Sequence, residues 1–212
     1  MKNLKQIIKE EYKKILREQN QSGIIKTFRI RRVQGGFHCQ HNNLTSLEGT
    51  PSLVDGNFYC FDNNLTSLEG APSLVGRNFD CSDNNLVSLK DAPSSVGGDF
   101  DCYDNNLTSL QGAPNSVGRN FYCYNNDLTS LEGAPSSVGG HFDCSENNLT
   151  SLEGAPSSVG GDFDCYDNNL TSLEDAPSSV GRNFNCRSQK SGIKFTKQNV
   201  KKVSNVKGQI LT

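Results

Sequence analysis

The chain has 212 residues, 33% of them apolar, with no Trp, one Met and eight Cys. Its formal net charge of −2 hides a segregation: residues 1–33 carry ten Lys/Arg against three Glu, residues 34–186 four against twenty acids, and residues 187–212 seven against none. These counts exclude nucleic acid as partner of the acidic middle, since phosphate neutralisation needs clustered Lys/Arg, and no 18-residue apolar run exists to insert in a membrane.

Residues 1–33 predict an N-terminal amphipathic helix and a cap segment. Leu4, Ile7, Ile8, Tyr12, Ile15 and Leu16 fall at helical spacing, without the apolar stretch of a secretion signal. Gln19 to Gly23 breaks the pattern, and Ile24, Phe28 and Ile30 then offer strand-like apolar contacts to seal the first repeat.

Residues 34–186 are a periodic array. Cys39, Cys60, Cys81, Cys102, Cys123, Cys144, Cys165 and Cys186 recur every 21 residues, with a Phe two positions before each. A fixed period of this length marks a solenoid. The unit F-x-C-x-x-N-x-L-T-S-L-E-G-A-P-S-S-V-G-x-x predicts a short F-x-C strand with Phe and Cys inward. The Asn three residues after each of the first seven Cys (Asn42, Asn63 and so on to Asn168) bonds the backbone of neighbouring turns. Leu44 and Leu47 with their equivalents return to the core, Gly-Ala-Pro forbids a helix, and Val33 and its equivalents bury the return limb. One such unit buries too little to fold alone, so turns must stack.

The eighth repeat is degenerate: RSQKSG follows Cys186, without Asn. Residues 187–212 predict a basic C-terminal cap, with a short helix near Thr196–Val203 and an apolar finish over the last Phe/Cys layer. Both basic ends read first as solvated faces of capping helices. In-register stacking suits reduced, buried thiols rather than disulfides. With no C-x-x-C and no cluster among His38, His41 and His141, no metal site or cofactor is expected. Buried thiols point to a reducing cytoplasm.

The string F-x-C-x-x-N-x-L resembles the leucine-rich-repeat signature L-x-L-x-x-N-x-L, with Phe and Cys in the strand positions. The T-S-L-E-G-A-P limb is similar to the 20–22-residue repeats of bacterial secreted effectors, though with one Pro per repeat and Cys in the strand. Treponema-type repeats also carry Phe, Cys and L-T-S, but their Phe-to-Cys spacing and lack of an Asn column fit less well. The resemblance implies a right-handed parallel β-solenoid of seven full repeats and a degenerate eighth, whose concave strands bind protein. The cap-repeat-cap layout also resembles small repeat proteins of tailed phages and prophages. That implies a second reading, a structural or packaged, virion-associated protein with no defined ligand.

If Phe and Cys point inward, their neighbours face outward in columns. The column before Cys runs His38, Tyr59, Asp80, Asp101, Tyr122, Asp143, Asp164, Asn185, and the column after it Gln40, Phe61, Ser82, Tyr103, Tyr124, Ser145, Tyr166, Arg187. A third column begins at His41 and is mostly acidic. Tyr59, Phe61, Asp80, Asp101, Tyr103, Tyr122, Tyr124, Asp143, Asp164 and Tyr166 are therefore the candidate contacts for a basic protein partner. Carboxylates steer the encounter and aromatics supply contact area. A surface copied by repeat expansion only for solubility is the alternative, with Ca²⁺ or carbohydrate binding as lesser ones. No nucleophile–base pair or phosphate loop is present, so no enzyme is expected. The sequence specifies no oligomeric state.

Overall fold

A computed structural model describes Gln6, Glu10 and residues 32–212. Gln6 and Glu10 have helical backbone; the rest of the expected N-terminal helix and the cap segment as far as residue 31 lie outside the described residues. From β1 (Arg32–Val33) and β2 (Phe37–His38) to β17 (Asn205–Val206) and β18 (Ile210–Leu211), every strand is two residues long. They alternate between two nine-stranded parallel sheets, odd-numbered strands in one and even-numbered in the other.

The even-numbered sheet is the expected F-x-C sheet, paired in register as Phe58↔Phe79 and Phe79↔Phe100. Its Phe rings form a continuous stack, with centroids 5.6 Å apart for Phe37–Phe58 and 5.2 Å for Phe100–Phe121. Every Cys of the array is buried with a free thiol. The odd-numbered sheet was not expected: the return limb is itself a strand, with Val54↔Val75 and Val75↔Val96 in register. β-Branched Val suits this position, buried on one side behind a Pro that forbids helix.

The turn between the sheets has a specific cause. Ala71 N–H donates to Leu68 C=O at 2.9 Å across Gly70, whose φ of +90° fits the third position of a type II turn. The seven prolines that come after this turn are all buried. The glycine that succeeds Val in most turns has a different role, close approach. A Cβ on Gly97 would lie 2.2 Å from Gly76 O of the preceding turn.

The Asn column works as expected. Asn63 Oδ1 accepts from Leu44 N–H at 2.9 Å and Asn42 N–H at 3.1 Å, while its Nδ2 donates to the carbonyls of Cys39 and Cys60 at 3.1 and 2.9 Å. From Asn63 to Asn168, each amide thus ties its own turn to the one before.

Two features of the tail correct the sequence reading. The eighth repeat lacks Asn but not the bonds: Gln189 Oε1 accepts from Leu170 N–H at 3.0 Å, and its Nε2 donates to Cys165 and Cys186 C=O at 3.0 and 3.1 Å. The tail also does more than cover the last layer. After helix α1 (Lys197–Val203), capped by Thr196 and Asn199 and anchored by fully buried Val200, the chain forms a ninth turn. Val180 pairs with Val206 and Phe184 with Ile210. Ser179 meets Asn205 26 positions on rather than 21, because α1 replaces the usual loop.

Candidate functional site

Strand alternation places the two columns flanking Cys on the outer face of the even-numbered sheet. All ten candidate contacts lie on this face, and all are half-buried. Tyr103 and Tyr124, on adjacent turns, stack face to face at 4.5 Å and 7°, and Tyr122 meets Tyr124 edge-on at 6.5 Å. Tyr59 and Phe61 make a second edge-on pair at 6.0 Å.

The four aspartates form two side-by-side pairs on neighbouring strands, Asp80 with Asp101 and Asp143 with Asp164. Burial pushes the Asp101 carboxyl up to about 8, with Asp80 and Asp99 adding repulsion. Burial raises Asp143 to about 6 against the opposing hydrogen bonds from Ser145. Asp80 and Asp164 shift upward for the same first reason. At neutral pH the face is therefore less negative than its count of acids.

Not every column residue faces out. Ser82 and Ser145 are fully buried. Ser82 Oγ donates to Asp80 Oδ1 at 2.7 Å and Ser145 Oγ to Asp143 Oδ1 at 2.6 Å, so each serine holds its aspartate. Asn185 is also buried, its Nδ2 donating to Asp164 Oδ1 at 3.1 Å. The third column has a backbone explanation. Asp62, Asp83, Asp104, Asn125, Glu146 and Asp167 all have φ of 50–54°, the left-handed region that Asp and Asn tolerate best. Turn geometry accounts for its acidity, and among the described residues no three His, Cys, Asp or Glu are grouped to hold a metal ion.

Sequence reasoning missed a second side-chain ladder, one residue before each Phe. Asn57, Asn78, Asp99, Asn120, His141, Asp162 and Asn183 each accept the backbone N–H of the equivalent residue one turn on, at 2.8–3.1 Å. The signal was a column of acceptors whose residue type varies.

A search of solved structures finds this architecture in the leucine-rich-repeat protein YopM from Yersinia enterocolitica WA-314, with a TM-score of 0.58 and 23% identity. The fold is a leucine-rich-repeat solenoid. The match covers 85% of this chain and 42% of YopM, so it bears on the repeat architecture alone. No protein-family model matches the chain, and no curated protein does. Within the leucine-rich-repeat frame, the F-x-C sheet is the strand face flanked by the Asn ladder. Among the described residues no helix is long and apolar enough to cross a membrane.

Proposed function

We propose that this chain is a non-catalytic protein-interaction module that takes a basic partner on the acidic, Tyr-rich face of the F-x-C sheet. The observation that carries this reading is the pairing of half-buried aspartates with half-buried aromatic rings on one continuous sheet face. No Lys or Arg of the described residues forms an ion pair with Asp80, Asp101, Asp143 or Asp164. A Lys or Arg from a partner would neutralise each aspartate pair, and the rings would contact its stem and its charge. The eight buried thiols suit a reducing compartment.

The test is a triple substitution, Asp101→Asn, Asp143→Asn and Asp164→Asn, assayed against Lys/Arg-rich peptides at low salt. Affinity is expected to drop at least tenfold with the far-UV spectrum unchanged. Unaltered affinity would overturn the proposal.

A further inference from the structure

The face is not a uniform copy of one repeat. Read in steps of three turns, the two columns spell Tyr59/Phe61, Asp80/Ser82, Asp101/Tyr103, and then Tyr122/Tyr124, Asp143/Ser145, Asp164/Tyr166. The second triplet lies 63 positions after the first (Asp143 against Asp80), three turns of 21. The pattern stops on both sides, at His38/Gln40 and Asn185/Arg187.

Duplication alone would leave all positions equally alike, and they are not. Between the triplets, flanking positions have diverged: Gly56 against Arg119, Arg77 against Gly140, Asn78 against His141, Val87 against Thr150, Lys90 against Glu153. Of the six column positions, five are identical and the sixth exchanges one aromatic for another, Phe61 for Tyr124. The local geometry repeats as well. Ser82 and Ser145, both at 0% exposure, grip Asp80 and Asp143 in the same way.

A separate observation indicates what is missing. Asn185, only 4% exposed, borders the second triplet and holds Asp164 through its Nδ2, yet its Oδ1 has no hydrogen-bond partner. Asp101 in the first triplet accepts no hydrogen bond from any described side chain, whereas Asp80 and Asp143 do. Buried or half-buried acceptors left open call for donors, and beside paired carboxylates a cationic donor is favoured.

We infer that the face carries two related subsites three turns apart, each seating one cationic side chain of a single extended basic polypeptide lying across the strands. This rests on the basic-partner reading above and adds to it a spacing. Three turns at the parallel-strand separation span about 14 Å, and four residues of extended chain cover about the same length. The fitting ligand therefore presents Lys or Arg at positions i and i+4. Once one subsite is filled, the second contact is intramolecular and its gain is large.

The probe is a set of Gly/Ser-backbone peptides with one Lys, or with two Lys spaced two, four or seven residues apart, titrated against the unaltered protein by fluorescence anisotropy. The spacing of four is expected to bind at least tenfold tighter than one Lys and tighter than the other spacings. Asp101→Asn and Asp164→Asn, made singly, are each expected to return it to the affinity of the one-Lys peptide. Equal binding at all three spacings would overturn the two-subsite inference and leave the basic-partner reading standing. Absence of binding by every peptide would overturn both.

Discussion

Asp101 lies beside Asp80 on the neighbouring parallel strand, in register, so two carboxyl groups share one half-buried strip of sheet. Asp83, Asp99, Tyr59, Tyr103, Tyr122, Tyr124 and the buried thiols of Cys60, Cys81 and Cys102 are the titratable groups electrostatically coupled to this strip, and none is a cation. Side-by-side acids in a sheet destabilise it when both are ionised, and here the fold carries that cost on the face proposed to bind.

Stability should therefore fall as pH rises from about 4 to about 8. Asp101 and Asp143 titrate at about 8 and about 6 in the folded chain, above the ordinary carboxylate value of 3.8. Over that window the native state holds more protons than the unfolded one, so raising the pH favours unfolding, by at most ~1.4 kcal/mol per pH unit for each group. Asp101→Asn removes the charge and should flatten the slope. Urea midpoints at pH 5, 7 and 8.5 check this, and parallel profiles for the two proteins would refute it.

The Asn ladder should dominate stability in a way its exposed neighbour does not. Asn126 accepts from Leu107 N–H at 3.0 Å and donates to Cys102, Cys123 and Tyr124 C=O at 3.1–3.2 Å. Asn126→Ala strands several of these groups away from water, at about 1–3 kcal/mol each before relaxation. A loss of ~3 kcal/mol or more is expected in a denaturant titration. Asp127→Ala, on the exposed side, should stay within ~0.5 kcal/mol.

How much of this was legible beforehand depended on whether one residue type carried one function. Phe, Cys, Leu and Asn63-type positions use a single chemistry in every turn, so their period revealed the sheet, the core and the ladder. The acceptor column before Phe uses Asn, Asp and His interchangeably, so it looked variable although its hydrogen bond never changes. Gln189 was hidden in the same way, since the longer amide does the work of Asn. Burial of Ser82 depends on rings supplied by adjacent turns, which strand alternation alone does not register. The second sheet escaped notice because its limb has one unvarying inward residue per turn, Val96 for example, whereas Phe and Cys on either side of an outward residue give the other sheet a visible alternation.

The thiols should be silent in the folded protein. All eight are buried; burial pushes Cys39 and Cys186 up to about 12 and the six between them well above the usual value. Thiolate is the reactive form, so a disulfide reagent at pH 8 is expected to titrate none of them natively and all eight in guanidinium. Rapid reaction of even two thiols in the native state would contradict the inward placement of this column.

Glycine substitutions offer a test of how tightly the turns approach. A Cβ at Gly97 would fall 2.2 Å from Gly76 O, backbone that cannot rotate aside, whereas a Cβ at Gly35 meets nothing within 4 Å. Positions equivalent to Gly97 carry side chains only at the ends of the stack: Gln34 and Asp55 beside β1 and β3 (Leu53–Val54), and Lys207 after β17. Gly97→Ala, inside the stack, must therefore push two turns apart, breaking bonds such as Gly97 N–H to Val75 C=O at 3.0 Å. Overpacking of this kind costs about 1–3 kcal/mol, so a clear drop in melting temperature is expected. Gly35→Ala should change it little, since nothing opposes the added methyl group. Equal melting temperatures for the two variants would show that the turns have slack at this edge, and the close-approach account of the glycine column would fall.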